Sequence, residues 1–184
     1  MVLSWIGMSD ELEQLFADAY HARREHRSDD AKRLLTAAVE QSRGSNVPAD
    51  LARALTALGQ IERDMKNTQA ALQFYQEAVA IYHTQGDILR LAHTVRHVGD
   101  IYREDGQWAP AEPCYQDALG MYRANPDTPP LDLANTLRGY ALLKNQLGQN
   151  EQARELWTEA RDLYRSVDVE AGVAESTRRL AQLS

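Results

Sequence analysis

The sequence predicts an all-α fold, a solenoid of about four helix pairs, and three observations lead to this prediction. Three segments of 32 residues, which begin at Leu51, Leu91 and Leu133, align with one another without gaps. Their first residues lie 40 and 42 positions apart, a period typical of stacked helical repeats. The two additional residues fall in the proline-rich stretch 125–130, where a turn can accommodate them.

The third observation is that small and aromatic residues recur at the same places in each segment. The recurring sets, in order along the segment, are Gly59, Gly99 and Ala141; Ala71, Ala111 and Ala153; Tyr75, Tyr115 and Trp157; Ala78, Ala118 and Ala160; and Tyr82, Tyr122 and Tyr164. Small residues let two antiparallel helices approach closely, and the aromatic residue fills the gap to the next pair. One such unit cannot bury its apolar face alone, so the units are expected to stack.

These residues resemble the tetratricopeptide repeat family. The spacing of 40 to 42 residues with a closing tyrosine is similar to the long repeats of kinesin light chains and bacterial regulators, and the resemblance covers nearly the whole chain. It implies a right-handed α-solenoid in which the first helix of each pair lines a concave groove. It also implies a protein or peptide partner without identifying one, because such repeats serve many unrelated partners.

The first repeat is predicted over residues 9–46, after an apolar N-terminal segment of residues 1–8. Ser9 is a suitable N-cap, and the acids that follow it favour a helix start there, so we expect helices over 9–24 and 29–42. The segment is too short to span a membrane, yet leaving it in water is unfavourable. Two interpretations stay open: the segment caps the first helix pair, or it lies in a groove or joins two subunits.

The following repeats are predicted over residues 47–86, 87–128 and 129–168. Their helices are expected over 48–66 and 68–83, over 88–104 and 108–123, and over 131–147 and 150–165. Pro113 would disturb a sixth helix that began at Trp108, so either that helix begins late, at Pro110, which we favour, or its first turn is distorted. Residues 170–183 resemble one more first helix and are expected to act as a capping helix. Residues 1–184 would then form a single domain of nine helices.

Composition and charge argue against several classes of protein. Lys and Arg total 20 and Asp and Glu total 27, and the net charge of −7 disfavours nonspecific binding to nucleic acid or to an anionic membrane. No apolar run approaches the length of a transmembrane helix, and the N-terminus lacks the basic region of a signal peptide. The single cysteine, Cys114, cannot form an internal disulfide. We therefore expect a cytoplasmic protein.

No pattern of catalytic or metal-binding residues stands out. His93 and His97 have a spacing that could hold a metal ion, but no third ligand is apparent, so a packing or groove role is favoured. Cys114 lies beside a packing position on a second helix and is expected to be inert. Phosphate-binding glycine loops and nucleophile elbows are absent from the sequence. The sequence thus predicts a protein that is not an enzyme and that needs no metal or cofactor.

Five positions of each first helix are expected to line the groove, and arginine dominates them. These positions hold eight arginines and five acids, a balance of +3 that leaves −10 for the rest of the chain. Arg96, Arg138 and Arg178 occupy equivalent places on successive first helices and are expected to form a ladder suited to carboxylates. The predicted peptide-binding residues are Arg53, Arg63, His93, Arg96, Arg103, Asn135, Arg138, Asn145 and Arg178, with Phe16 and Tyr20 at an apolar end of the groove.

The favoured hypothesis is a noncatalytic adaptor whose groove binds an acidic extended peptide or helix of a partner protein. One alternative is a self-associating scaffold, in which Trp5 and Ile6 of one subunit enter the aromatic end of the groove of another. Another is that the chain is the repeat portion of a larger sensor or regulator. A competing interpretation of the arginines is that they pair with nearby acids and only solvate the face.

Overall fold

The computed structural model describes residues 2–45 and 47–183, and it describes side chains from residue 10 onward. These residues form helices and no strands. The helices are α1 (Val2–Arg24), α2 (Ser28–Ser45), α3 (Pro48–Asp64), α4 (Thr68–Gln85), α5 (Ile88–Glu104), α6 (Trp108–Ala124), α7 (Pro130–Gln146), α8 (Asn150–Ser166) and α9 (Glu170–Gln182). The prediction of an all-α helical-repeat fold is confirmed.

The helices form two compact units, Met1–Gly86 and Asp87–Ser184. In the first unit α1 packs on α2, α2 on α3 and α3 on α4. In the second unit each helix from α5 to α9 packs on the next, and α5 also contacts α7. The single domain over 1–184 stays a prediction.

The pairs α3–α4, α5–α6 and α7–α8 are held together by the recurring small and aromatic residues. The side chains of Tyr75, Tyr115 and Trp157 are fully buried, as are the alanines that precede and follow them in the pattern. A Cβ atom at Gly59 would lie 3.2 Å from the ring of Tyr75, so the glycine lets the aromatic ring lie directly on the backbone of α3. This close approach is the reason for the small residue in the first helix.

The turn inside each pair has the same geometry in every repeat. His26, Lys66, Gly106 and Gly148 adopt positive φ angles between 59° and 74°, and the last three occupy equivalent places in the 32-residue pattern. The backbone N–H groups that follow the helix bond back to its last carbonyls, for example from Lys66 to Arg63 and from Gly148 to Asn145. The left-handed residue therefore ends the first helix and fixes where the second one begins.

This turn explains why α6 begins at Trp108, whereas the proline pattern predicted a start at Pro110. Gly106 ends the preceding turn, and Gln107 takes the N-cap position directly before Trp108. Pro110 lies in the first turn, where its missing N–H has no intrahelical partner to lose. Pro113 lies inside the helix and leaves the carbonyl of Ala109 without its usual donor, a local cost that the surrounding repeat tolerates.

Two other helix bounds differ from the predictions by three residues or more. The first helix begins at Val2 and not at Ser9, so the backbone of residues 2–8 continues α1. Ser9 therefore lies inside a helix, where an already formed turn extends over it at little cost. α2 runs to Ser45 and not to residue 42. The expected docking of segment 1–8 concerns side chains outside the described part of the chain.

The two tryptophans of the second unit provide a test of this packing. We expect Trp157→Ala to lower the free energy of unfolding by about 3–5 kcal/mol, because it empties a fully buried site. The matched change Trp108→Ala removes a side chain that is 40% exposed, so it should lower the free energy of unfolding far less. Urea unfolding followed by circular dichroism compares the two. Equal losses would contradict the burial described above.

Two glycines provide a second test. A Cβ atom at Gly139 would lie 2.7 Å from the Tyr115 ring and 2.9 Å from an oxygen of Asp100, so Gly139→Ala should destabilise the protein by about 1–3 kcal/mol. At Gly120, in an exposed part of α6, the added Cβ would meet nothing within 4 Å. Gly120→Ala should therefore stabilise the protein by about 0.5–1 kcal/mol. Melting temperatures of the two variants should move in opposite directions.

Candidate functional site

In the first unit, the predicted groove residues of α1 and α3 contact one another, and we call this surface the α1–α3 face. The guanidinium of Arg53 pairs with the carboxylate of Glu13, and its carbon atom lies 3.9 Å from the centre of the Phe16 ring. The hydrogen bond from Arg53 holds the pKa of Glu13 below its usual value. Arg23 donates to Asp64 at 2.8 Å. The face is therefore built from two ion pairs that join the two first helices.

A pocket of about 470 Å³ opens on the α1–α3 face. Its apolar walls come from Phe16, Ala17 and Leu35 and from Ala57 and Ile61. Its polar lining includes the two arginines of the ion pairs and a glutamine, namely Arg23, Arg53 and Gln60, and its wall includes Tyr20, which is 57% exposed. The structure thus brings the two predicted apolar groove residues, Phe16 and Tyr20, together at one pocket.

In the second unit, we call the surface formed by the predicted groove residues of α5, α7 and α9 the α5–α9 face. Arg96 is the most buried of its arginines, with a side chain only 10% exposed. It donates to Asp100 at 2.9 Å and to Nε2 of His97 at 2.8 Å, and its Nε lies buried without a hydrogen-bond partner in the described part of the chain. Tyr115 donates to the other oxygen of Asp100 at 2.6 Å. Arg96 therefore belongs to a buried network more than to an open groove.

The two histidines of α5 stand beside Arg96. A guanidinium can only donate, so Nε2 of His97 accepts and the ring proton lies on Nδ1, 3.8 Å from Asp100. His93 Nε2 lies 3.2 Å from the same atom. His93 Nδ1 lies 3.8 Å from Asp132 on α7, and this histidine lowers the pKa of the Asp132 carboxyl. The two histidines thus connect α5 to α7.

The other arginines of the α5–α9 face differ in exposure. Arg103 has a side chain 11% exposed and bonds Tyr115 at 3.2 Å. Arg138 makes two hydrogen bonds to Glu175, at 2.7 and 3.0 Å, and these bonds raise the pKa of Arg138. Arg178 is exposed and makes no ion pair with the described residues. Of the three arginines of the expected ladder, Arg96 is buried, Arg138 is partly exposed and paired with Glu175, and Arg178 is exposed.

Three further predicted residues lie on first helices. Two of them, on α7, bond aromatic residues of α8. The side-chain oxygen of Asn135 accepts from the Tyr164 hydroxyl at 2.8 Å, and that of Asn145 accepts from the Trp157 indole at 3.0 Å. Each amide oxygen has a second lone pair, so a bound peptide could contact either the oxygen or the NH₂ group. Arg63 lies half-buried on α3.

Sequence reasoning missed the polar role of the recurring aromatic residue. Besides packing, Tyr75 donates to Gln60 and Tyr115 to Asp100, and these two acceptors hold equivalent places in their first helices. The signal was present, because a polar residue stands at that place in both repeats that carry tyrosine. Asp132 was also missed, because its role depends on the approach of α7 to α5.

The described residues contain no group of three or more His, Cys, Asp and Glu side chains that could hold a metal ion. The expected lack of a metal site and of a cofactor stays a prediction. Burial raises the pKa of the Cys114 thiol to about 11, so the thiol is protonated at neutral pH and is a poor nucleophile. None of the described helices has the length and apolar character needed to cross a bilayer.

Comparison with known proteins gives one sequence match and many structural ones. Residues 16–84 match the family model described as tetratricopeptide repeat, and no curated protein matches the sequence. The crystal structure of BtubC (BKLC) from P. vanneervenii is similar with a TM-score of 0.69 and 15% identity, over 97% of this chain and 90% of BtubC.

A second similar structure is a signal transduction ATPase with numerous domains and a tetratricopeptide repeat sensor, from Pyrococcus horikoshii. The TM-score is 0.79 at 20% identity, and the match covers 92% of this chain and 26% of the ATPase. Identities this low establish a shared fold and nothing about partners. Residues 16–84 therefore match the tetratricopeptide repeat in sequence, and nearly the whole chain shares the fold of the two similar structures.

Proposed function

We propose that the chain is a noncatalytic adaptor whose exposed arginines bind an acidic extended peptide or helix of a partner protein. Tetratricopeptide repeats typically mediate protein–protein interaction, and the family is generally noncatalytic. The chemistry of the two faces supports an acidic partner in particular. The balance of +3 at the groove positions, in a chain of net charge −7, favours approach of an acidic segment to these faces.

The observation that carries this proposal is the division of the arginines into buried and accessible ones. The side chains of Arg23, Arg53 and Arg138 are 46%, 44% and 40% exposed, and Arg178 is also exposed. Each of the first three has an ion pair with a carboxylate that water also reaches. The pairs of Arg23 and Arg53 are exposed, and exposed pairs contribute only about 0–1 kcal/mol, whereas the Glu175 side chain beside Arg138 is 20% exposed. At Arg23 and Arg53, a partner's carboxylate can therefore replace the internal one at little cost.

Arginine suits this exchange because its planar group can hold a carboxylate through two parallel hydrogen bonds. Arg138 already binds Glu175 in this manner, so the geometry that a partner would use is present in the protein. Arg96 and Arg103 play another part. Their buried bonds to Asp100 and Tyr115 hold α5 and α6 in place, so these two arginines support the face from below.

The proposal is tested with a fluorescein-labelled peptide that carries glutamate at alternate positions. Two double variants remove accessible arginines, Arg23→Gln with Arg53→Gln in the first unit and Arg138→Gln with Arg178→Gln in the second. We expect each to weaken binding about tenfold, which corresponds to about 1.4 kcal/mol. Fluorescence anisotropy at low and at moderate salt gives the affinities, and added salt should weaken binding to the native protein.

The matched control is Arg161→Gln with Arg165→Gln, which removes two arginines of α8 that pair with Asp162. It changes the net charge by the same amount and should leave the affinity within about twofold of the native value. Equal weakening by all three double variants would show nonspecific attraction and would contradict the proposal. Arg96 is a poor choice for such a test, because its removal leaves Asp100 buried without its ion pair.

A second candidate function is that of a sensor portion within a larger protein. It is favoured by the similarity to the ATPase from Pyrococcus horikoshii, of which the match covers only 26%. An antibody raised against the chain should then detect, in the native cell extract, a polypeptide much larger than 20.7 kDa. Detection of a single band at that mass would contradict this candidate.

A further inference from the structure

The last helix, α9, has the sequence of a first helix, and no second helix follows it in the described part of the chain. Val173 stands 40 residues after Leu133, so Ala174 and Ala181 take the places of two small residues that recur in the first helices. In the complete pairs the residues at these places are buried, namely Ala52, Ala92 and Ala134 at the first place and Gly59, Gly99 and Ala141 at the second. Ala174 and Ala181 are both exposed. One face of α9 therefore has the residues of a helix pair but lies in water.

A pocket of about 300 Å³ opens beside this face, where α8 ends and α9 begins, and we call it the end pocket. It is lined by Val169, Val173 and Ala174 and by the charged residues Arg165, Asp168 and Glu170. Ala134 of α7 holds the place equivalent to Ala174. It lies in one core cluster with Ala160 and Tyr164 of α8. The end pocket therefore lies where the alanine and the closing tyrosine of a further second helix would pack.

A recurring ion pair joins successive second helices. Arg43 of α2 pairs with Glu77 of α4 at 2.9 Å, and Arg123 of α6 pairs with Glu159 of α8 at 2.6 Å. The two arginines hold the same place in the repeat, and so do the two glutamates. Arg165 holds that place at the end of α8, lines the end pocket and is 60% exposed. Its position is therefore that of a donor to the acid of a further second helix.

We propose that this end of the second unit binds one amphipathic helix of a partner protein, which packs on α9 as the second helix of a pair and meets Arg165 with an acid. The recognised pattern is the one that α4, α6 and α8 share: alanine, three residues, tyrosine or tryptophan, one residue, an acid and alanine. The site uses neither the α1–α3 face nor the accessible arginines of the α5–α9 face. It does not depend on the proposed function.

The charge of Arg165 supports an acid at that one place of the partner helix. Exposed ion pairs contribute little to affinity, about 0–1 kcal/mol, but they fix the register in which two surfaces meet. Arg165 now pairs with Asp162 of its own helix at 2.9 Å, and the Asp162 side chain is 53% exposed. A partner's carboxylate can therefore take the place of Asp162 while the apolar face of its helix covers Ala174 and Ala181.

A second copy of this chain is the less suitable occupant. Its helices with the recognised pattern, α4, α6 and α8, bury their aromatic residues fully in their own pairs, so none of them is available to a neighbour. α2 has Leu35 and Ala37 at the places of the aromatic residue and the acid. The apolar segment 1–8 contains no Asp or Glu to meet Arg165. Charge complementarity therefore favours a helix of another protein.

The test uses the complete chain and a fluorescein-labelled peptide of residues 150–166, which carries the whole pattern. Arg165→Glu in the protein and Glu159→Arg in the peptide should each weaken binding about fivefold, because like charges then meet. The two changes together should restore the affinity to within about twofold of the native value, because the charges attract again. The matched control is Arg33→Glu, which reverses an arginine of α2 that is 73% exposed and should leave the affinity within about twofold. Fluorescence anisotropy gives the affinities.

A second variant tests the exposed face of α9 itself. Ala174→Gln with Ala181→Gln places longer side chains on that face at unchanged charge, and it should weaken peptide binding at least about tenfold. Both alanines are exposed and glutamine is a good helix former, so circular dichroism should show a native fold. The alternating glutamate peptide should bind this variant as it binds the native protein, so failure of the proposed function is recognised separately.

Several results would overturn the proposal. They are a peptide that does not bind, equal weakening by Arg33→Glu and Arg165→Glu, a charge exchange that restores nothing, and unchanged binding to the glutamine double variant. Sedimentation of the chain without peptide adds one more. A dimer that is lost in the glutamine double variant would assign the exposed face of α9 to a second copy.

Discussion

The contact on which this structure depends is that between an aromatic ring on the second helix and a small residue on the first, in the pairs α3–α4, α5–α6 and α7–α8. Tyr75 lies against Gly59, and a Cβ atom at Gly99 would lie 3.5 Å from the ring of Tyr115. With a larger residue at either place, the two helices could not approach, and the alanines around the ring would lose their burial. The same contact brings the polar tip of the tyrosine to the surface where the arginines stand.

The position of that tip links packing to the candidate site. In the second unit, the hydroxyl of Tyr115 bonds Asp100 and also accepts from Arg103, and Asp100 in turn holds Arg96. Burial is the main cause of the raised pKa of Tyr115, so the hydroxyl stays protonated and remains a donor. One packing residue therefore immobilises two arginines, and the accessible arginines stand on a face whose shape the packing sets.

The α1–α3 face shows how the same repeat serves another purpose. There Gln60 takes the place of Asp100, so the hydroxyl of Tyr75 meets a neutral acceptor. Arg53 instead stacks on Phe16 and pairs with an exposed acid. As a result, this face has a pocket with apolar walls and accessible cations. Two neighbouring repeats thus use one backbone geometry for a rigid support and for an open surface.

Several local predictions differed from the structure because they weighed a residue by its neighbours in sequence alone. Ser9 has the chemistry of an N-cap, yet α1 passes through it, because nothing in residues 2–8 prevents a formed helix from extending. Pro113 is unfavourable inside a helix, yet α6 includes it, because the turn at Gly106 determines the start of the helix. In both cases the continuity of the repeat outweighed a local preference of about 1–3 kcal/mol.

The sequence by itself determined the helix pairs, because the period near 40 residues and the recurring small and aromatic residues admit only one register of pairing. It also determined which residue types stand on the first helices. Only the tertiary structure decided which arginines are accessible. Arg96 and Arg138 occupy equivalent places in the repeat, but one meets Asp100 and His97 inside the unit and the other meets Glu175 at its surface. Periodicity places a side chain on a face, whereas its exposure depends on neighbours that come from other helices.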